Sequence, residues 1–524
     1  MRIAVIGAGF AGVSAAKVLT QFGHDVTVYE KAPDIGGVWS ASRRYPGLRT
    51  QNNKGTYCLS DQTMPRHYPQ WLESAQVQEY LDGYVDRFGL RDRFRVSTTV
   101  ISATLSEPDG APSESDVTAN PALRPVTWSV TAEGPEGVST EEYDYLVSAN
   151  GIFSAPSIPG WPGREAFEAA GGRLCAPGDV HSLDEVAGRD VLVVGYGKSA
   201  CDVASAIAPV TGSATVIARK LLWKMPRHLG GAINYKFLML TRLGEALFEY
   251  QRLQGVEAFL HGAGKPVRNS MLASLQAVAT RQLKLKEYGL VPDGDFERIA
   301  RSTVSLVSEG FFEAVQDGSL AVRRDTEIAE LLVEDGRPAA RLSDGSTVPA
   351  DVIIAATGWR QDVPFLDADV QARLTDANGD FELYRFILPH EVPGLAFVGY
   401  NSSFFSPLSA EMASLYVAHV LDGAAELPPV PERREQVSAR LRWMRDRTEG
   451  HHARGTNLIP FSMHNIDEII EEMGLKLSRR QRVREWLLPP KPADYRWVTR
   501  RLLARRPRPA ASAVPSGAGP RRAA

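Results

Sequence analysis

Two short stretches of the chain have residue types and spacing suited to holding a phosphorylated nucleotide. In the first, the run Ile3–Ile6 leads into Gly7-Ala8-Gly9-Phe10-Ala11-Gly12. An apolar-periodic segment follows (Val13, Ala16, Val18, Leu19, Phe22) and stops at Gly23; Val26–Tyr29 then leads to Glu30. Strand, glycine turn, helix, strand and terminal acid is the order of a dinucleotide-binding unit. Gly7 permits the tight turn, Gly9 lets the backbone approach a pyrophosphate, and Gly12 lets the helix lie close to the strand. Free N–H groups at the helix start face the phosphates. Glu30, 23 residues after Gly7, accepts hydrogen bonds from ribose hydroxyls. Alone, such a site takes NAD or FAD. Gly36-Gly37-Val38-Trp39 just beyond is either a plain turn or a second close approach to a large ligand, with Gly37 and Trp39 as its contacts.

The pattern returns 188 residues later with one change. Val191–Val194 reads as a buried parallel strand. Gly195-Tyr196-Gly197-Lys198-Ser199-Ala200 follows, then a helical stretch from Cys201 to Ile207 and a strand from Thr215 to Ala218. Gly195, Gly197 and Ser199 are the candidate phosphate contacts. The strand ends in Arg219 and Lys220, where the first unit has its acid. An acid binds a free 2′-hydroxyl and repels a 2′-phosphate; an arginine does the reverse. The second site therefore reads as an NADPH site. A partner whose ribose hydroxyls are free is then most simply FAD.

Further elements must position these two sites. Tyr145–Ser148 runs into Ala149-Asn150-Gly151, and Asp351–Ile354 runs into Ala355-Ala356-Thr357-Gly358-Trp359. Both read as buried strands ending where the chain crosses between two domains, with Thr357 and Gly358 as cofactor contacts. Leu395–Gly399 is another strand, followed by a helix from about Ser409, its N-cap, to Leu421, with Glu411 in the first turn. A helix start beside a flavin ring would stabilise the anionic reduced form.

Composition sets the frame. The chain has 524 residues, 44% hydrophobic and 23% charged, which excludes a disordered chain, a collagen-like fibre and a small disulfide scaffold. The net charge of −3 hides a split. Eight arginines and no acid lie between Tyr495 and Ala524, so residues 1–494 carry 51 basic against 62 acidic residues. Three distant cysteines (Cys58, Cys175, Cys201) without a C-x-x-C read as reduced thiols in a cytoplasmic protein. Neither a secretory signal nor a membrane-length apolar run is visible. His451, His452 and His464 lack metal-ligand spacing, so no metal is expected. The arginines of the tail have no interleaved aromatics, and no nucleic-acid partner is expected.

The sequence resembles the class B flavoprotein monooxygenases. The nearest branch is the flavin-containing, N- and S-oxidising monooxygenases, and the Baeyer–Villiger monooxygenases are its sister. The resemblance rests on GAGFAG at 7–12, Glu30, GGVW at 36–39, YPGLRT at 45–50, GYGKSACD at 195–202, ATGW at 356–359 and the strand–loop–helix at 395–421. It implies bound FAD, NADPH as reductant, and O2 adding to form a C4a-(hydro)peroxyflavin. From there one oxygen atom passes to a small organic substrate. N- or S-oxygenation or hydroxylation leads, with Baeyer–Villiger oxidation of a ketone, or reduction without oxygen insertion, as the alternatives.

The departures from the family pattern lie near the reacting centre. The family's T-N-x-x-K context reads Thr50-Gln51-Asn52-Asn53-Lys54 here, with Gln51 in the Asn position, Asn52 one residue late, and no Asp of the Baeyer–Villiger kind. Gln51, Asn52 and the neighbouring Arg49 are the candidate catalytic residues. The family fingerprint around His181 keeps only the histidine; Cys175, Pro177 and Glu185 fill its other places.

The expected architecture is α/β, with two Rossmann-like dinucleotide-binding domains and a helical insertion. Residues 1–155 form the first part of the FAD domain. Residues 156–345 form the NADPH domain, with the insertion at about 224–305. Residues 346–425 return to the FAD domain, 426–498 form a helical segment, and 499–524 a disordered basic tail. Within the insertion, leucines and aromatics from Leu238 to Leu253 recur at helical spacing, and a second helix is expected around Met271–Tyr288. In the C-terminal segment a helix is expected at Ile466–Met473.

Overall fold

Two parallel five-stranded sheets organise the chain in the computed structural model, which describes residues 1–107, 123–301 and 305–506. The first sheet runs in the order Leu395–Phe397, Tyr145–Ser148, Arg2–Ile6, Asp25–Tyr29, Phe94–Arg95. All but the edge strand Phe94–Arg95 are largely buried, as strands covered on both faces must be. Helix Phe10–Gln21 joins two of them, and helix Ser406–Leu421 packs on it. Ser14 and Ser414, small enough to let the two helices approach, meet with their hydroxyls 3.3 Å apart.

The second sheet runs Ala321–Arg324, Ser213–Ala218, Asp190–Val194, Val352–Ala355, Arg173–Cys175. Val352–Ala355 lies parallel to Asp190–Val194 in register Val191 to Val352. The second unit thus extends past the expected boundary at 345. The reason is burial: Val352, Ile353 and Ile354 are wholly enclosed, and only a place inside a sheet gives such a run neighbours on both edges.

The chain crosses between the units twice, and the crossings pair. Ala155–Pro156 lies antiparallel to Trp359–Arg360. The Ser157 N–H donates to the Gly358 carbonyl at 2.9 Å, and Thr357 Oγ1 donates to the Ser157 carbonyl. Each unit also carries a three-stranded antiparallel sheet, Thr99–Ser106, Thr127–Gly134 and Gly137–Tyr143 in the first, Ile328–Glu334, Arg337–Leu342 and Thr347–Pro349 in the second.

The insertion is helical, but its first helix is broken where one was expected over 238–253. Lys236–Met239 and Arg242–Ala246 are separate turns. Thr241 ends the first by capping the second, its Oγ1 accepting the Gly244 N–H at 3.1 Å. The long helix is Lys265–Gln282, starting earlier than Met271. The C-terminal segment forms helices Val430–Thr448, Ser462–Glu472, Arg479–Leu487 and Arg496–Arg505. The last corrects the expected tail boundary at 499. Arg-rich composition reads as unfolded in isolation, but Val498 and Leu502, four residues apart, are buried against the body. Residues 507–524 lie outside the described residues.

Buried charge clamps the insertion to the C-terminal helices. Arg242 bonds Asp467 at 2.6 Å and Glu485 at 2.9 Å. His464 donates to Glu245 and Glu257 at 2.7 and 2.8 Å. Burial alone would lower the pKa of His464; the hydrogen bonds to the two carboxylates overcome it and raise the pKa to about 10. Because the folded value lies above the ordinary 6.5, this contribution is fully present below about pH 6.5 and is lost as pH climbs through about 10. Raising the pH from about 7 to about 10 is therefore expected to lower the melting temperature of the wild type more than that of His464→Gln. Equal slopes for the two proteins, by circular dichroism, would refute the clamp.

Candidate functional site

The two glycine turns are built alike. Gly7 has φ +107° and Gly195 φ +120°. A methyl group on Gly7 would lie 2.5 Å from the Ala149 carbonyl oxygen, and one on Gly195 2.5 Å from that of Ala356. In each unit the turn thus packs on the residue following a neighbouring strand. Gly12 is needed for closeness, since its Cβ would meet the Gly7 oxygen at 1.8 Å. Ala200 holds the matching place in the second unit and is fully buried.

Gly9 and Gly197 differ, because the protein's own packing does not require glycine there. A Cβ on Gly9 would come no closer than 3.5 Å, to the Cα of Gly37; on Gly197 it would meet nothing within 4 Å. Both residues stand at the start of a helix with no side-chain cap and no acid in the first turn. Open space above uncapped N–H groups is what a pyrophosphate needs, so the residues present fit two dinucleotides.

Around the first turn, Gly37 (φ +58°) abuts Gly9, and the Gly36 N–H donates to the Ala8 carbonyl at 3.0 Å. Trp39 is buried and packs edge-on to Tyr57. The Glu30 carboxylate is fixed by the N–H groups of Ala8 at 2.7 Å and Ala32 at 2.9 Å. Its remaining lone pairs are those a ribose would use. At the end of strand Ser213–Ala218, Arg219 and Lys220 are exposed. Arg219 has only a loose contact with Glu327 at 3.6 Å, both side chains more than half exposed.

Residues 45–52 lie between the two units. Tyr45 donates to Ser199 Oγ at 2.9 Å. Gly47 (φ +83°) sits against the Asp202 carbonyl, which a Cβ would approach to 2.5 Å. Arg49 bonds Glu73 at 2.8 Å and faces Glu309 at 3.9 Å. The Gln51 carbonyl accepts from the Tyr235 hydroxyl at 2.7 Å, and its Oε1 from the Leu306 N–H at 3.3 Å. Residues 45, 47, 49 and 51 thus each reach the second unit or its insertion from a loop that turns at Gly47. Asn52 turns back: it is buried and its Nδ2 donates to the Phe404 carbonyl, just ahead of helix Ser406–Leu421.

That helix begins earlier than expected. Ser409 lies inside it, hydrogen-bonded to Ser403 Oγ at 2.8 Å, and does not cap it. Glu411 accepts from the backbone N–H and hydroxyl of Ser60 at 2.7 and 2.6 Å, so the helix start carries no compensating acid. Burial and the nearby Asp61 push the Glu411 carboxyl up to about 7.

Thr357 and Gly358 stand in the paired crossings, their polar groups engaged by Ser157. His181 is exposed, and its backbone N–H donates to Glu185 at 2.8 Å. The structure adds a group the sequence reading passed over. Lys198 is half-buried against the buried Asp202, whose Oδ1 also accepts from Ser308 Oγ at 2.6 Å. Burial lowers the Lys198 pKa although Asp202 raises it. The four-residue spacing of Lys198 and Asp202 inside GYGKSACD was the available signal. Among the described residues, no group of three or more His, Cys, Asp or Glu could hold a metal ion, and no helix is long and apolar enough to cross a membrane.

A parallel-sheet unit with an acid-terminated glycine motif, joined by two crossings to one with a basic-terminated motif, defines a flavoprotein that works with a second dinucleotide. The flavin-binding monooxygenase-like family matches residues 1–479, and the chain belongs to that family. It is a flavoprotein monooxygenase that uses FAD and NADPH for flavin-dependent oxygen insertion. It is 26% identical over 523 residues to the probable flavin-containing monooxygenase 1 of Arabidopsis thaliana, covering 94% of this chain and 96% of that one. Its fold is shared with the S-allyl-L-cysteine S-oxygenase of Allium sativum (TM-score 0.59, 17% identity, 96% and 97% covered). It is also shared with NADP+-bound cyclohexanone monooxygenase of Rhodococcus sp. Phi1 (TM-score 0.60, 21% identity, 96% and 97% covered).

Proposed function

We propose that the enzyme transfers oxygen to a nucleophilic nitrogen or sulfur atom of a small organic molecule. The observation that carries this reading is the chemistry of the loop at 49–54. It holds three amide side chains, Gln51, Asn52 and Asn53, and no carboxylate, and its Asn52 is tied to Phe404 at the start of helix Ser406–Leu421. The name of the Allium fold neighbour, an S-oxygenase, supports it.

In this reading FAD sits on the Gly7–Gly12 turn and supplies the site at which O2 is reduced. NADPH lies on the Gly195–Ala200 turn and supplies hydride. Gly9, Gly12, Gly37 and the Phe10–Gln21 helix start hold the first pyrophosphate, and Glu30 its ribose. Gly197, Ser199, Arg219 and Lys220 hold the second nucleotide. The Gln51 Nε2 has no partner among the described residues and is the donor offered to the reacting region. Asn52 and Arg49 act by positioning: one fixes the loop to the helix start, the other to Glu73 and Glu309. The three cysteines are buried and unpaired, consistent with work in the cytoplasm.

The test is product analysis with the purified FAD-loaded enzyme, NADPH and 18O2. Methyl phenyl sulfide or trimethylamine is expected to stimulate NADPH oxidation and to yield a product carrying one labelled oxygen. Faster conversion of cyclohexanone to its lactone would overturn the reading, as would NADPH oxidation yielding only hydrogen peroxide with every substrate offered.

A further inference from the structure

A cavity of about 340 Å³ opens where three parts of the chain meet. Arg252 comes from the insertion, Tyr384 and Arg385 from a hairpin of the first unit, Arg440 and Trp443 from helix Val430–Thr448, and Glu468 from helix Ser462–Glu472. No residue of either glycine turn or of loop 45–54 lines it.

Its charge is unbalanced. Arg385 bonds Glu468 and Glu472, each at 2.8 Å, and Glu468 also accepts from the Tyr250 hydroxyl at 2.6 Å. The one lining carboxylate is thus engaged. Arg440 is only 7% exposed. Its Nη2 donates to the Leu383 carbonyl at 2.6 Å, its guanidinium lies 4.0 Å from the Phe386 ring centre, and its Nε has no partner. No carboxylate among the described residues bonds it. Arg252 at the edge is exposed and has no hydrogen-bond or ion-pair partner among the described residues.

Helix Val430–Thr448 repeats this feature. Arg433, Arg440 and Arg447 recur every seven residues, each with a buried, unpartnered Nε. Arg447 donates to the carbonyls of Ala300, Ile459 and Asn457. Arg433, 2% exposed, has no hydrogen bond or ion pair from its guanidinium among the described residues. Beside them, burial and the charges of Arg433, Arg434 and Arg440 hold the His390 pKa down at about 4. A buried guanidinium without a counter-ion carries a desolvation cost of several kcal/mol. An anion in the cavity would remove that imbalance at Arg440, the one of these three arginines that lines it. A planar carboxylate matches the guanidinium fork in two parallel hydrogen bonds, and Trp443 and Tyr384 offer flat apolar walls to whatever carries it.

We propose that this cavity binds a small organic carboxylate with a planar apolar body. Arg440 and Arg252 take the carboxylate, and Trp443 flanks the body. The site is separate from the reacting centre, and its ligand joins the insertion to the C-terminal helices.

Calorimetry of the full-length, FAD-loaded enzyme tests this, with benzoate as probe and benzamide and inorganic phosphate as comparisons. Benzoate is expected to bind saturably, once per chain, in the millimolar range or tighter. Benzamide, which lacks the charge, and phosphate, which lacks the body, should bind at least about tenfold more weakly. Arg440→Gln should weaken benzoate about tenfold or more. Arg252→Gln, at an exposed position, should do so with unchanged melting temperature and NADPH oxidation, and carries the test if Arg440→Gln fails to fold. No saturable binding overturns the proposal, as does binding that survives Arg252→Gln. Phosphate binding more tightly than benzoate overturns the ligand class. Competition between benzoate and methyl phenyl sulfide, or a benzoate-induced change in flavin absorbance, would put the probe in the catalytic site and also overturn it.

Discussion

Gly9→Ala is expected to fold like the wild type and to purify without flavin. The two halves of that outcome have separate causes. The backbone of Gly9 has φ −81° and ψ −168°, an extended conformation any residue adopts. The nearest atom to an added methyl is 3.5 Å away, an ordinary contact. Nothing in the protein opposes alanine. What would oppose it, in the proposed arrangement, is a pyrophosphate lying against the helix start, where N–H donors and phosphate oxygens must come within about 3 Å. Because bound FAD itself stabilises the fold, the proper comparison is with wild-type protein stripped of flavin. Melting temperatures should agree within a few degrees, while the ratio of flavin to protein absorbance falls by about tenfold or more.

Neighbouring glycines give the contrast that makes this decisive. Gly12→Ala would drive a methyl to 1.8 Å from the Gly7 oxygen, and the loss should be one of folding, of order 3 kcal/mol or more. Gly7→Ala adds a strained φ to a 2.5 Å clash with Ala149 and should behave similarly. At the second turn, Gly197→Ala should keep its flavin and wild-type stability but need about a hundredfold more NADPH for half-maximal flavin reduction. A Gly9→Ala enzyme with full flavin content would refute the assignment of the first site.

The difference between these glycines was only partly legible in the chain. Local features could be read directly: each glycine motif, with its strands and its terminal Glu30 or Arg219, is contained in about thirty residues. The chemistry of loop 45–52 could not, because its partners are distant. Tyr45 meets Ser199, Gln51 meets Tyr235 and Leu306, and Asn52 meets Phe404. Boundaries failed for a related reason. Val352–Ala355 belongs to the second sheet through its neighbour Asp190–Val194, and Arg496–Arg505 is held by burial of Val498 and Leu502, neither of which composition expresses. The buried arginines of helix Val430–Thr448 carry no signal at all in a sequence where arginine normally marks surface.

Arg219→Ala is expected to raise the Michaelis constant for NADPH by about ten- to a hundredfold and to leave that for NADH within about twofold. The asymmetry follows from what each cofactor presents at the end of strand Ser213–Ala218. In the proposed arrangement NADPH would place its 2′-phosphate there, and a charge-assisted hydrogen bond to guanidinium contributes roughly 1.5–3 kcal/mol. NADH places a hydroxyl, which gains little from a cation. Arg219 is free to respond, being 67% exposed and only loosely engaged by Glu327 at 3.6 Å. Such an exposed ion pair is itself worth about 1 kcal/mol at most, so breaking it does not compromise the fold. Glu327 competes with the phosphate for the same guanidinium, and Glu327→Gln should lower the Michaelis constant for NADPH modestly. Lys220, next in the chain and also exposed, retains part of the attraction in the single variant. The double variant Arg219→Ala/Lys220→Ala should therefore approach equal preference for the two cofactors. Raising the salt concentration should weaken NADPH binding in the wild type more than in the double variant, because exposed charges are screened within about 10 Å at 0.1 M. If Arg219→Ala shifted both constants equally, the residue would be acting on the fold of the strand end and the 2′-phosphate would be read elsewhere.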